Sequence, residues 1–116
     1  MLAASGDGNI YCWDSKGALL WKFSSDHKVR FSEVAALKTK KGIQIFAGGN
    51  DFTLYELNGK GALISKNPIK GVVRKIEVGN FLQPNEPSIF VMTYTHDKFN
   101  WEFMGFLNPQ TKQVLK

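Results

Sequence analysis

Leu2-Ala3-Ala4-Ser5-Gly6-Asp7-Gly8-Asn9-Ile10-Tyr11-Cys12-Trp13-Asp14-Ser15-Lys16-Gly17-Ala18-Leu19-Leu20 decides the fold, because the chain writes it twice. Shifted by 44 residues, it falls without a gap on Phe46-Ala47-Gly48-Gly49-Asn50-Asp51-Phe52-Thr53-Leu54-Tyr55-Glu56-Leu57-Asn58-Gly59-Lys60-Gly61-Ala62-Leu63-Ile64. The match runs on through Lys22/Lys66, Val29/Val73, Arg30/Arg74, Glu33/Glu77 and Val34/Val78. Residues 3–37 hold 12 identities. A period of about 40–50 residues marks stacked units that cannot bury their apolar faces alone.

Working outward, every segment reads as a short strand closed by turn chemistry. Leu2–Ser5, Asn9–Trp13 and Ala18–Phe23 are the first three strands. Gly6-Asp7-Gly8 and Asp14-Ser15-Lys16-Gly17 separate them, supplying positive φ and local side-chain hydrogen bonds. Glu33–Lys38, Ile43–Gly48, Thr53–Leu57 and Ala62–Ser65 form a second set. Arg74–Phe81, Ser88–Tyr94, Trp101–Asn108 and Gln113–Leu115 form a third. Ile10-Tyr11-Cys12-Trp13 and Ile89-Phe90-Val91-Met92 are apolar on both faces, so both faces must be covered. Tyr11, Trp13, Tyr55, Leu57, Phe90 and Met92 are therefore expected in the contacts between units. No helical period and no linker are visible.

These features predict an all-β fold of four-stranded antiparallel β-propeller blades. The 116 residues hold about 2.6 such units, and a propeller needs about four to eight. The expected blades are a partial one at 1–28, a full one at 29–72 and a third at 73–116. The chain opens on the second strand of a blade and stops as a fourth strand begins. A segment of a larger propeller is the simplest expectation. A short chain that closes a ring by self-association is the alternative.

Composition narrows the function. The 43% apolar content fits a globular protein, and no run approaches the ~18 apolar residues of a membrane span. No basic, apolar leader follows Met1. The net charge is +5, but the lysines are spread along the chain, so a nucleic-acid partner is not expected. Cys12 is the only cysteine, which excludes an intrachain disulfide and a CxxC metal site.

Gly6-Asp7-Gly8-Asn9-Ile10-Tyr11-Cys12-Trp13-Asp14-Ser15-Lys16-Gly17-Ala18-Leu19-Leu20-Trp21-Lys22-Phe23 resembles the repeat of the PQQ-like (quinoprotein-dehydrogenase-like) β-propellers. The likeness lies in Asp-Gly before a strand ending in Tyr-x-x-Asp, then Gly and Leu-x-Trp. The second repeat keeps Asp51, Tyr55, Asn58 and Gly61 but has Ser65 at the tryptophan position. Ile76-Glu77-Val78-Gly79-Asn80-Phe81 followed by Ile89-Phe90-Val91 is similar to the integrin-type FG-GAP repeat, without its calcium carboxylates. Trp13-Asp14 resembles a WD repeat. The resemblance implies a propeller and brings no quinone site, since no vicinal cysteine pair or acidic metal cluster accompanies it. An extracytoplasmic protein, periplasmic or secreted, is what it implies for location.

Internal repetition sorts the polar residues. Asp7 and Asp51 occur in both repeats and read as turn carboxylates. Arg30 and Arg74 precede the innermost strands and read first as blade-to-blade contacts. The candidate partner face is His27, Arg30, Phe31, Arg74, Lys75, Tyr94, His96, Asp97, Lys98 and Trp101, with Lys28 and Asn100 beside them. Most of these break the repeat, and the stretch from Tyr94 to Trp101 lengthens a loop, where binding commonly resides. No catalytic set, no metal site and no cofactor are expected. The expected role is a non-catalytic scaffold or recognition module for a protein or carbohydrate partner. The alternative is a portion of an enzyme propeller whose active site lies in other blades.

Overall fold

Asp14 and Asn58, equivalent in the two repeats, build the same turn. The Asp14 Oδ1 accepts the N–H groups of Lys16 and Ala18, both at 2.9 Å. The Asn58 Oδ1 accepts those of Lys60 and Ala62 at 2.9 and 3.0 Å. Gly17 and Gly61 follow with φ of 85° and 84°, the left-handed geometry that ends such a turn. The same side-chain chemistry thus reverses the chain at the same place in each unit.

A computed structural model describes residues 1–26, 29–83, 86–94 and 101–115, with side chains of 83, 101 and 102 outside the description. The described residues contain ten strands and no helix. β1 (Leu2–Ala4), β2 (Asn9–Trp13) and β3 (Leu19–Ser24) form one antiparallel sheet. β4 (Phe31–Thr39), β5 (Gly42–Gly49), β6 (Thr53–Asn58) and β7 (Leu63–Pro68) form a complete four-stranded sheet. β8 (Val72–Gln83), β9 (Glu86–Tyr94) and β10 (Trp101–Leu107) form the third. The expected strand at Gln113–Leu115 is reduced to one bridge, Leu107 opposite Val114.

The repeat holds at the level of register. Ala3 faces Tyr11 as Ala47 faces Tyr55. Tyr11 faces Lys22 as Tyr55 faces Lys66. Even the irregularity recurs, between Cys12 and Trp13 and between Glu56 and Leu57. Conserved register means that each unit presents the same side chains to the same faces.

The middle sheet is covered on both faces, as its apolar strands require. Ile45, Ala47, Tyr55 and Leu57 pack against Ile10, Val29 and Phe31 on the side of the first sheet. Phe46 and Leu54 pack against Val73, Ile76, Ile89, Val91 and Leu107 on the side of the third. Alternate residues of β5 and β6 thus serve opposite junctions, the period of two that a strand imposes. This is the all-β, multi-sheet arrangement of propeller blades stacked face to face.

One packing expectation needs correction. Tyr55 and Leu57 are buried, but Tyr11, Trp13, Phe90 and Met92 are only half-buried. The middle sheet has a neighbour on each side. Tyr11 and Trp13 instead sit on the outer face of the first sheet and stack on each other at 5.6 Å. Phe90 lies on the outer face of the third, against Phe106 at 5.4 Å. In each case the burial stops because these three sheets end.

Candidate functional site

Turns gather at the two ends of the sheets. At one end lie the β1–β2 and β5–β6 turns and the segments that lead into β4 and β8. This is the end that carries the expected partner face. Its repeated carboxylates bond locally. The Tyr11 hydroxyl donates to Asp7 Oδ2 at 2.7 Å, and Asp7 Oδ1 accepts the Asn9 N–H at 3.1 Å. The Tyr55 hydroxyl donates to Asp51 Oδ2 at 2.6 Å. The Tyr11 bond holds the Asp7 carboxyl below its usual range, and Asp7 in turn raises the Tyr11 phenol. Burial, then Asp51, pushes the Tyr55 phenol far above its ordinary value. A phenol held protonated against a carboxylate is a clamp on the turn, not a proton-transfer pair at neutral pH.

The expected face residues separate into three groups. Arg30, Arg74 and Lys75 are exposed there. Arg30 is placed by its own backbone, whose N–H donates to Asn50 Oδ1 at 3.1 Å. Neither arginine makes an ion pair with a described residue, and Lys75 pairs with Glu77 at 3.0 Å. Tyr94 is half-buried. Phe31 is different. It is 4% exposed and meets Tyr55 edge-on at 5.3 Å, so its ring packs the first junction rather than offering a surface. The third group, His27, Lys28, His96, Asp97, Lys98 and Asn100, lies outside the described residues, as does the Trp101 side chain. No group of three or more metal-ligating side chains occurs among the described residues.

The two junctions between sheets use different chemistry. At the first, the Trp21 indole Nε1–H donates to the Gly59 carbonyl at 3.0 Å. A Cβ on Gly61 would lie 2.5 Å from the Trp21 ring, so only glycine fits beneath it. At the second, the positions equivalent to Trp21 and Cys12 are Ser65 and Glu56. Lys112, with φ of 60°, follows the third turn as Gly17 and Gly61 follow theirs. Its ammonium meets Glu56 Oε1 at 2.5 Å. Ser65 Oγ donates to the same oxygen at 3.0 Å, and Gln44 Nε2 donates to Glu56 Oε2 at 3.1 Å. Burial pushes the Glu56 carboxyl up, but the bonds from Lys112, Gln44 and Ser65 outweigh it and hold it below its usual range.

Nearer the inner strands, side chains bridge the second junction again. Ser32 Oγ donates to the Val73 carbonyl at 2.6 Å, and Glu33 Oε1 accepts the Ile76 N–H at 3.3 Å. Thr93 Oγ1 donates to the Lys70 carbonyl. The sequence reading missed the polar cluster around Glu56. Its signal was present in the paired departures from the repeat. Cys12 becomes Glu56 where Trp21 becomes Ser65, and a carboxylate with a hydroxyl replaces a thiol with an indole.

The stacked sheets, the shared register and the face-to-face junctions define a β-propeller protein. The chain belongs to the lambda-carrageenase β-propeller domain family, whose model matches residues 1–88. Lambda-carrageenases from Pseudoalteromonas sp and from Pseudoalteromonas carrageenovora are each 34% identical to it over 64 residues. Those residues are 55% of this chain and 7% of each relative's length.

Proposed function

We propose that this chain is blade-forming scaffold within the propeller of a polysaccharide-degrading enzyme, with the bond-breaking groups carried by other parts of that enzyme. The observation that carries the reading is the family match over residues 1–88, which covers the repeat and the complete sheet. It is supported by where the polar residues go, both the repeated Asp7 and Asp51 and the unrepeated Glu56. Asp7, Asp51 and Glu56 bond to turns and junctions, which is what stacked blades need.

On this reading the units at 1–28, 29–72 and 73–116 are consecutive blades. Further blades of the same polypeptide cover the outer faces of the first and third sheets, or copies of the chain cover each other. The likeness of the repeat to PQQ-like propellers is a likeness of blade construction. Arg30, Arg74 and Lys75 belong to a recognition face for a glycan or protein, together with Tyr94 and the segment around His96. The enzyme works outside the cytoplasm, where polymeric substrates are met.

The test uses the full-length protein that carries this segment, assayed on lambda-carrageenan. The variant Arg30→Ala/Arg74→Ala/Lys75→Ala is expected to keep kcat and to raise KM, because a binding face contributes equally to ground and transition states. A fall in kcat of about a hundredfold at unchanged melting temperature would place catalysis on this segment instead. Absence of any depolymerising activity in the full-length protein would remove the enzyme reading.

A further inference from the structure

The opposite end of the sheets carries a feature that the scaffold role does not use. A pocket of about 470 Å³ opens beside the β4–β5 turn, lined by Thr39, Lys40, Lys41, Ile43, Gln44 and Gln110. The turn is built to hold its two lysines outward. Thr39 Oγ1 donates to the Gly42 carbonyl at 2.6 Å and accepts the Lys41 N–H at 3.2 Å. Gly42 closes the turn with φ of 121°. Lys40 and Lys41 are exposed and pair with no carboxylate among the described residues.

The pocket wall is fixed as well. Gln44 Nε2 donates to Glu56 Oε2 at 3.1 Å and to the Pro109 carbonyl at 3.3 Å. Gln110 Nε2 donates to Gln44 Oε1 at 3.5 Å. A carboxamide from β5 and one from the turn after β10 therefore stand side by side, held by the Glu56–Lys112 pair behind them.

Charge at this end is one-sided. The antiparallel topology puts the β2–β3, β4–β5 and β6–β7 turns at the same end, and with them exposed Lys16, Lys38, Lys40, Lys41 and Lys60. The nearby acids are largely spent. Asp14 bonds the N–H groups of its own turn, and Glu56 is neutralised by Lys112. Glu86, at the start of β9, remains exposed. A concave site rimmed by cations attracts polyanions by its summed field.

We infer that this pocket is a binding site for an anionic polysaccharide chain. Lys40 and Lys41 take its charged substituents, Gln110 its hydroxyls, and the exposed aliphatic Ile43 a sugar face, while Gln44, whose N–H groups already bond Glu56 and Pro109, fixes the wall. A carboxamide such as that of Gln110 suits hydroxyls because it donates and accepts. No aromatic ring lines the pocket, and stacked aromatics are what hold single-stranded bases, so a glycan fits better than nucleic acid. The choice of sugar rests on the proposed enzyme reading; the polyanion site itself does not.

The experiment titrates the full-length protein with a sulfated galactan oligosaccharide of the carrageenan type, with the same oligosaccharide desulfated, and with oligo-dT. Turnover on the polymer is measured in parallel. The sulfated sugar should bind, and binding should weaken with salt. Lys40→Gln/Lys41→Gln should lower its affinity about five- to tenfold, as loss of two exposed ion contacts does. Lys22→Gln/Lys70→Gln removes equal charge elsewhere and should change it less than about twofold. Equal losses in the two double variants, or tighter lysine-dependent binding of oligo-dT, overturns the site. If the protein cleaves the polymer but binding ignores Lys40 and Lys41, the site falls and the enzyme reading stands. If it cleaves nothing yet shows the lysine-dependent binding, the enzyme reading falls and the site stands.

Discussion

Lys112→Met tests the second junction directly. The Glu56 side chain is 7% exposed and the Lys112 side chain 14%, so the pair is largely removed from water. Methionine keeps the aliphatic stem and removes the charge. Glu56 is then left with two neutral donors, Ser65 and Gln44. Stranding a buried charge costs about 3–5 kcal/mol, and two surviving hydrogen bonds reduce this to about 2–4 kcal/mol. Glu56→Gln keeps hydrogen-bonding capacity and lets Lys112 turn outward, so it should cost about 1–2 kcal/mol. The double variant should lose less than the sum of the two, by about 1–3 kcal/mol, since either change already breaks the pair. Denaturant unfolding of the purified chain, followed by tryptophan fluorescence, supplies all three numbers. If Lys112→Met unfolds within ~0.5 kcal/mol of the unchanged chain, or the two changes simply add, the pair does not hold the junction.

Three further outcomes follow from the same geometry. Gly61→Ala combines a positive φ of 84° with a Cβ 2.5 Å from Trp21, and should cost about 2–3 kcal/mol in the same titration. Tyr55→Phe leaves a part-buried Asp51 bond unmade and should cost about 1–2 kcal/mol, whereas Tyr11→Phe, at an exposed site, should cost clearly less. Glu56 is held below its ordinary carboxyl range in the folded chain, so its contribution is fully present above the unfolded value of 4.5 and is lost as pH falls through the lower folded value. Thermal melts between neutral pH and about pH 3 should show a loss that Glu56→Gln makes smaller.

Much of the fold was legible because the repeat is a statement about register. Once Tyr11 aligned with Tyr55 and Gly17 with Gly61, the strand partners of one unit fixed those of the other. The apolar two-faced strands announced sheets stacked face to face. What was not legible was which outer faces have a neighbour. Trp13 and Leu57 are equivalent, yet one is half-exposed and the other buried, because burial depends on the next sheet and not on the strand itself. The candidate site was harder still. Phe31 looked like a face residue from its position before an inner strand, but a ring beside Tyr55 and Phe23 gains more from packing than from water. The pocket at Lys40 and Lys41 carried no motif. Two of its walls, Gln44 in β5 and Gln110 in the turn after β10, are 66 residues apart in the chain.

Chain connectivity sets the order of the sheets, since only residues 69–71 join β7 to β8, and the differences between repeats make the two junctions chemically unlike. Trp21 reaches over Gly61 and bonds the Gly59 carbonyl, which requires a residue without a side chain in that turn. At the next junction the equivalent turn carries Lys112, and the two strands facing it, β6 and β7, carry Glu56 and Ser65 in place of a thiol and an indole. Exchanging the partners would set an indole against a lysine stem at one junction. At the other it would leave a buried carboxylate facing a glycine. The second exchange leaves a buried charge unpaired, which costs stability. Identical junctions would let any blade face accept any other, including one from a second copy of the chain. Unlike junctions match each face to one partner, so the departures from the repeat disfavour mispaired or swapped blades while its shared residues specify the blade.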